Sequence, residues 1–239
     1  NTGIGSNMPT EVLDVNGKIR LRDGAQNEYI LQSDADGVGT WTKPAYQTRN
    51  EICVTEYGAV GDLSTDNTTA FQNAINAAAL LGGIVCVPPG DYIISSSLTI
   101  PGGVILEGIG QGPDYLSFSN GVGKHGSMIV YTGVNDWTFE VSGFFSGIRN
   151  ISIYNGNVAG MKATGCIRLK ADSGGFATGY NIFSKVYIWN FFEGTALKME
   201  ATNNSEIAYV SINDMAFRFQ VTGFHVEPAS GSSIHHITF

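Results

Sequence analysis

Charged residues are scarce in this sequence. Only 14% of the residues are charged, and 13 basic against 21 acidic residues give a formal net charge of −8; about a quarter is usual in soluble domains. The basic residues form no cluster, which argues against nucleic-acid binding. No apolar run approaches the roughly 18 residues of a membrane-spanning helix. Neither nucleic acid nor a membrane span is therefore expected.

Cysteine is also rare. The three cysteines, Cys53, Cys86 and Cys166, lack the C-x-x-C spacing that is typical of a zinc site. Their number and spacing argue against a disulfide framework as well. We predict that all three are small buried hydrophobic residues. The sequence thus predicts no metal site and no cofactor.

Glycine and hydrophobic residues are abundant instead, with 31 glycines and a hydrophobic fraction of 43%. This composition indicates many short strands and turns. Apolar and polar residues alternate in the second half of the chain: Ile167 and Leu169 are expected to point one way and Arg168 the other. Coils of about 20–25 residues are predicted to recur as a solenoid, in which each coil pairs with its neighbours.

One helix is predicted, over residues 67–81. Asp66 is the candidate N-cap, and Gly82-Gly83 ends the helix. Its apolar residues recur with helical spacing on one narrow stripe, at Phe71, Ala74, Ile75 and Ala78. A single amphipathic helix needs an apolar surface to lie on. We expect that surface to be the open end of the structure that the strands build.

The residues around this helix carry a resemblance to a known family. They are Tyr57–Asp62, Thr65–Thr68, Phe71-Gln72, Ala74-Ile75, Gly82-Gly83, Val87–Tyr92 and Leu98–Pro101. In this order and spacing they resemble the start of the pectate-lyase-like right-handed β-helix superfamily. The resemblance implies an all-β fold, a right-handed parallel β-helix with one N-terminal capping α-helix. It implies little about chemistry, because catalytic residues in this family lie on later coils that vary with the substrate.

The N-terminal residues form a separate small module. Asn16-Gly17 predicts a hairpin turn, and Asp34–Gly37 predicts another turn between short strands at Tyr29–Leu31 and Thr40–Thr42. Asp34 and Asp36 are interpreted as turn formers, with calcium binding as the alternative. The segment resembles a β module of phage tail-fibre and bacterial surface proteins. We expect residues 1–47 to be a β-rich attachment module and linker. Residues 48–239 are expected to be the N-terminal part of the β-helix, which continues beyond residue 239.

No catalytic residue can be assigned from the sequence. Glycan cleavage generally needs two carboxylates at a defined separation, and the register that would bring two together is not fixed by spacing. The outward acidic candidates are Asp172, Glu193, Glu200, Glu206, Asp214 and Glu227. The irregular loop from Gln111 to Gly126 is a further candidate for a binding function.

Aromatic residues give the better indication of a binding site. Tyr187, Trp189 and Tyr209 are the candidate glycan-binding residues, because planar rings can stack on the C–H faces of sugars. Core packing is the alternative for the same residues.

Three functions are compatible with these patterns. The first is a phage tailspike or tail-fibre protein that attaches the virion to a host cell through a surface glycan, with cleavage of that glycan left open. The second is a secreted or surface-bound bacterial polysaccharide lyase or glycoside hydrolase. The third is a non-catalytic β-helix spacer. For the first function we expect a homotrimer, tail or baseplate partners bound through residues 1–47, and a bacterial surface polysaccharide as ligand. The location would be the virion, or the extracellular space as the alternative.

Overall fold

The structure is a computed structural model of the chain. It describes residues 2–4, 13–15, 25–26, 29–42, 50–110, 126–134, 136–156, 163–191, 194–218 and 222–239. The Asn16-Gly17 turn, most of the loop from Gln111 to Gly126, and Glu193 lie outside these residues. The chain divides into two compact units, Asn1–Gln47 and Thr48–Phe239.

The first unit contains two pairs of short strands. β1 (Thr2–Ile4) and β2 (Leu13–Val15) run parallel, while β3 (Ile30–Ser33) and β4 (Gly39–Thr42) form an antiparallel hairpin. The β3–β4 hairpin confirms the strands predicted around the Asp34–Gly37 turn.

Asp34 forms the turn of this hairpin with its side chain. Its Oδ1 atom accepts hydrogen bonds from the backbone N–H groups of Asp36 at 3.0 Å and Val38 at 2.8 Å. An aspartate that bonds its own backbone two residues on stabilises a turn without any metal. This geometry matches the turn-forming interpretation of Asp34.

The described part of the second unit consists of one α-helix, one short 3₁₀ helix and a long series of strands. The 3₁₀ helix is Val54–Tyr57 and α1 is Thr68–Ala79. The strands are β5 (Glu51–Cys53), β6 (Asp62–Asp66), β7 (Gly83–Val87), β8 (Gly90–Ile94), β9 (Leu98–Ile100), β10 (Val104–Gly108), β11 (Ser127–Tyr131), β12 (Trp137–Ser142), β13 (Gly147–Asn155), β14 (Gly165–Ala171), β15 (Gly175–Gly179), β16 (Ile182–Trp189), β17 (Thr195–Ala201), β18 (Ser205–Asn213), β19 (Ala216–Arg218), β20 (Thr222–Pro228) and β21 (Ser233–Thr238).

These strands form a right-handed parallel β-helix, as the sequence predicts. All pairings in the second unit are parallel, in a 12-stranded sheet and a 5-stranded sheet of order β20-β17-β14-β12-β9. Parallel strands joined by crossovers take the right-handed connection almost without exception. Gly165 pairs with Thr195, and Thr195 with Thr222. These partners are 30 and 27 residues apart, so these two coils are longer than the predicted 20–25 residues. Gly83 on β7 and Val104 on β10 are 21 residues apart, so the first coil matches the prediction.

The core lies inside the coils and follows the predicted alternation. Ile167, Leu169, Leu197 and Met199 are fully buried, and the polar residues between them lie on the outer face of the same strands. Each buried aliphatic side chain of this kind stabilises the fold by about 1.5–3 kcal/mol. The continuous apolar interior therefore follows from the alternation of apolar and polar residues along each strand.

Helix α1 caps the first coil with the predicted side chains. Phe71, Ala74, Ile75 and Ala78 are its buried residues. The N-cap differs from the prediction: it is Asn67, not Asp66. The side chain of Asn67 makes no capping bond, because it instead bonds the backbone of Val60 and Thr65.

The burial of the three cysteines matches the prediction only in part. Cys166 is fully buried, but Cys53 and Cys86 are only half-buried, and they are paired neighbours on β5 and β7. The prediction of a buried hydrophobic role is therefore confirmed for Cys166 alone. Among the described residues, none of the helices is long and apolar enough to cross a membrane.

Candidate functional site

A row of exposed aromatic rings runs along the outside of the β-helix. Four successive coils each place one ring in this row, hereafter the aromatic ladder: Phe145, Tyr180, Tyr209 and His236. The ring centroids are 5.2 Å, 4.9 Å and 4.8 Å apart, and neighbouring planes differ by 14°, 6° and 11°. The alignment follows from the register, in which the residues just before the ladder pair in turn: Phe144 with Gly179, Gly179 with Ala208, and Ala208 with His235.

The ladder residues all have a left-handed backbone. Their φ angles are 57° at Phe145, 55° at Tyr180, 57° at Tyr209 and 53° at His236. This conformation favours Gly and Asn and costs a bulky residue about 1–3 kcal/mol. Further along the same coils, a second set of equivalent positions also has positive φ. They are Asn150, Lys185 and Asp214.

The ladder is thus unusual in placing large rings where a small polar residue would be less strained. Ring stacking offsets part of that strain, at about 0.5–1.5 kcal/mol per pair. The two contributions are of similar size, so the ladder brings little net stability to the fold. Backbone strain that is not needed for folding is characteristic of functional surfaces.

The ladder exposes ring edges and hydroxyl groups rather than ring faces. Phe145, Tyr180 and Tyr209 are 62%, 48% and 45% exposed. Both faces of Tyr180 are covered, by Phe145 and Tyr209. The phenol groups of Tyr180 and Tyr209 can each donate and accept a hydrogen bond. The outward chemistry of the ladder is therefore two neighbouring hydroxyl groups beside apolar ring edges.

Two further rings widen this surface. Phe176 meets Tyr180 and Tyr209 edge-on, at centroid distances of 6.4 Å and 6.3 Å. Phe144 lies 4.9 Å from Phe176 at nearly a right angle. Because Phe176 is itself exposed, the ladder and its flank form a continuous aromatic surface that a carbohydrate can contact through its C–H groups.

The structure separates the three predicted glycan-binding residues. Tyr209 lies in the ladder. Tyr187 and Trp189 lie in another cluster, in which their ring centroids are 4.8 Å apart. Trp189 is only 1% exposed and packs with Met128 and Val130. The prediction that Trp189 binds glycan needs correction, because a buried ring has no exposed face on which a sugar could stack. Tyr187 is half-buried beside it.

His236 and Phe145 are ladder residues that pattern reasoning did not select. Strict alternation places His235 and His236 on opposite faces, but their rings lie 4.6 Å apart and are hydrogen-bonded to each other. The left-handed φ at His236 interrupts the alternation. His235 also bonds the carboxylate of Glu206 through Nε2, at 2.7 Å. A left-handed aromatic residue has no local sequence signal, which is why this part of the ladder was missed.

A row of ionic contacts lies on the outer face of the five-stranded sheet. Arg168 is bound to Glu140 and lies 3.5 Å from Glu200. Lys198 contacts two carboxylates, Glu200 at 3.2 Å and Glu227 at 2.6 Å. Register brings Glu200 and Glu227 together as neighbours on β17 and β20. Two of the predicted acidic candidates thus share one lysine, and Glu140 joins the row without having been selected.

Lys198 and Glu227 favour each other's ionised form. Burial by itself would lower the pKa of Lys198, but hydrogen bonds to Glu227 and Glu200 outweigh it and raise that pKa. The hydrogen bond and the charge of Lys198 lower the pKa of Glu227. A general acid for glycoside cleavage needs the opposite, a carboxyl group with a raised pKa. Glu227 is therefore suited to an ion pair rather than to proton donation.

Comparison with known proteins identifies the family. The family model described as rhamnogalacturonase A/epimerase, pectate lyase-like, matches residues 51–239, which is most of the chain. The chain belongs to this pectate lyase-like family. The match coincides with the β-helix unit, and it confirms the resemblance carried by the residues around α1.

Relatives of the chain include a phage tail spike protein and a rhamnogalacturonase. The tail spike protein of Shigella phage Sf6 is 39% identical over 71 residues, covering 27% of this chain and 11% of the phage protein. Rhamnogalacturonase A of Emericella nidulans is 35% identical over 107 residues, covering 43% of this chain and 19% of the enzyme. The predicted similarity to phage tailspikes is thereby confirmed. The chain spans less than a fifth of the length of either relative.

A solved structure is similar in fold to this chain. PfbA, a surface adhesin of Streptococcus pneumoniae, superposes with a TM-score of 0.53 at 21% identity, over 72% of this chain and 38% of that protein. At this identity the likeness concerns the fold alone.

Proposed function

We propose that this chain is part of a phage tail protein that attaches the virion to its host by binding a bacterial surface polysaccharide. The aromatic ladder carries the proposal. It is an exposed, strained row of rings along the long axis of a β-helix, and a polymer is the kind of ligand that matches a repeating row. Sequence similarity to a phage tail spike protein supports the same function.

The proposed contact is between sugar hydroxyl groups and the edges of the ladder. Tyr180 and Tyr209 offer hydroxyl groups on successive coils, with ring centroids 4.9 Å apart. Phe176 adds apolar area for sugar C–H groups on the flank. A polysaccharide lying parallel to the β-helix axis would meet these groups in succession. Stacking on inner ring faces is not part of the proposal, because neighbouring rings cover them.

Glycan cleavage is the second candidate activity, favoured by the similarity to rhamnogalacturonase A. Glu200 and Glu227 are carboxylates on neighbouring strands, but both contact Lys198. Because Lys198 lowers the pKa of Glu227, Glu227 is poorly suited to the proton donation that hydrolysis requires. We therefore assign binding, not cleavage, to the residues that the structure describes.

The virion is the proposed location, with the extracellular space as the alternative. A homotrimer and attachment to other tail proteins through residues 1–47 belong to the same proposal. The β3–β4 hairpin supports a shared core, because Ile30 and Leu31 are 48% and 47% exposed in a single chain.

The test measures binding of the whole protein to an array of immobilised bacterial surface polysaccharides. Tyr180→Asn and Tyr209→Asn remove the rings at positions where Asn tolerates the left-handed backbone better than Tyr. Folding should therefore be preserved, and the double variant should lose binding to the recognised glycan by about tenfold or more, since each lost contact is worth about 1 kcal/mol.

Tyr57→Asn is the matched control. Tyr57 is also an exposed tyrosine, at 39%, but it lies on the 3₁₀ helix beside α1. Its variant should bind like the wild type. Unchanged binding by the folded ladder variant would remove the ladder from the proposal, and no binding to any glycan by the wild type would contradict the function itself.

A further inference from the structure

Two thiols and a carboxylate meet on the first strands of the β-helix. Glu51 and Cys53 lie two residues apart on β5, so both side chains are on the same face. Cys53 pairs with Cys86 on β7. One carboxylate oxygen of Glu51 and the two Sγ atoms of Cys53 and Cys86 all lie within 4.8 Å of one another.

A pocket adjoins this group. It has an open volume of about 210 Å³ and is lined by Glu51, Ile84, Cys86, Glu107, Gly108 and Ile109. Glu107 follows Cys86 in the row across the sheet, because the two residues are register partners. The carboxylate of Glu107 is held by Arg149 at 2.7 Å and by Asn150 at 3.1 Å. The pocket thus brings a second, fixed carboxylate to the same place.

We propose that Glu51, Cys53 and Cys86 form a binding site for a thiophilic divalent cation, of which Zn²⁺ is the best match. Two thiolates and one carboxylate are a ligand set that Zn²⁺ accepts, and four-coordinate geometry leaves one position. The pocket beside Glu51 and Cys86 has room for a water molecule as the fourth ligand. A bound cation would offset the charge of Glu51 and of the two thiolates that ligate it.

The site has a structural consequence for the β-helix. β5 is the first strand of the 12-stranded sheet, and only three residues long. A cation bound by both β5 and β7 links the first strand to the first full coil. Binding that is confined to the folded state stabilises it by mass action. We therefore expect the cation to slow hydrogen exchange of the β5 amides.

The three proposed metal ligands form no recognisable metal-binding motif in the sequence. Cys53 and Cys86 are separated by the 3₁₀ helix, β6 and α1, so no short spacing links them. They become neighbours only because β5 and β7 are parallel partners across the cap. The site is independent of the aromatic ladder and of the function proposed for it.

The first measurement titrates the whole, metal-free protein with Co²⁺ and then with Zn²⁺, in the presence of a phosphine reductant that keeps both thiols free. We expect one Co²⁺ per chain with a thiolate-to-metal charge-transfer band, and displacement of Co²⁺ by Zn²⁺. Alkylation of Cys53 and Cys86 should slow when Zn²⁺ is present. A protein that takes up no Co²⁺, or whose thiols alkylate at the same rate with Zn²⁺, overturns the proposal.

The variants assign the ligands. Cys53→Ser and Cys86→Ser should each weaken the charge-transfer band and raise the Kd for Zn²⁺ by at least about tenfold, and Glu51→Gln should raise the Kd by about tenfold while keeping the band. Cys166→Ala is the matched control, because Cys166 is a buried thiol outside the site, and it should bind Zn²⁺ like the wild type. Equal Zn²⁺ affinity in wild type and both serine variants would overturn the assignment.

Discussion

Two neighbouring residues, Asp66 and Asn67, make the hydrogen bonds at the start of α1 that were expected of a single N-cap residue. Asp66 accepts hydrogen bonds from the backbone N–H and hydroxyl group of Thr68, and from the hydroxyl of Ser95. It thereby joins the start of α1 to the end of β8. Asn67 is buried and holds the preceding loop through Val60. An amide is needed there because it must both accept from an N–H group and donate to a carbonyl.

The carboxylate of Asp66 predicts an acid-dependent contribution to stability. Burial raises its pKa, but hydrogen bonds from Ser95 and Thr68 outweigh this and lower the pKa below 3.8. The contribution is therefore present above pH 3.8 and is lost as the pH falls through the folded-state pKa. Asp66→Asn should lower the free energy of unfolding by about 1 kcal/mol at pH 7, a value discounted for solvent screening.

Urea unfolding at pH 7 and at pH 3 or below checks this prediction. The difference between wild type and Asp66→Asn should shrink at the lower pH. Glu56→Gln, at an exposed acid on the neighbouring 3₁₀ helix, serves as the control and should behave like the wild type at pH 7. A difference that stays constant with pH would show that charge is not its origin.

At the scale of single elements, α1 matters because it closes one end of the solenoid. Phe71 is fully buried and meets the ring of Tyr92 edge-on at 5.4 Å. Gln72 covers the free edge of β9: its Oε1 accepts from the N–H of Thr99 at 2.9 Å, and its Nε2 donates to the Thr99 carbonyl at 3.1 Å. The helix thus covers both the apolar end of the core and an unpaired strand edge.

Phe71→Asp should therefore destabilise the protein strongly. It removes the buried ring and places a charge without a partner in the core, which together cost about 3–5 kcal/mol. Asn73→Asp introduces the same residue on the exposed face of the same helix and should cost less than about 0.5 kcal/mol. Thermal unfolding measures both variants. A melting temperature of Phe71→Asp equal to that of the control would contradict the capping role of α1.

At the scale of the whole molecule, the proposed trimer is testable by mass. The β3–β4 hairpin leaves Ile30 and Leu31 exposed, and a unit of this size rarely supplies a sufficient core alone. Light scattering of the full chain at micromolar concentration should give three times the chain mass. Leu31→Asp, or a chain beginning at Asn50, should weaken that association. A monomeric full chain would contradict the trimer.

The spacing of apolar residues along the sequence determined much of the fold of this protein. The four buried positions of α1 follow from a period of 3.6, and the buried Ile167, Leu169, Leu197 and Met199 follow from a period of two. Both patterns depend on neighbours within a few residues, and burial enforces them. The residues around α1 were likewise enough to indicate the β-helix and its family.

Only the tertiary structure decided which residues meet from different coils. Coil lengths vary, so the register that aligns Tyr180 with Tyr209, or Cys53 with Cys86, cannot be counted from the sequence. Left-handed residues such as His236 also break the alternation that predicts which way a side chain points. The fold could be predicted from local periods, whereas both proposed sites depend on pairing between distant strands.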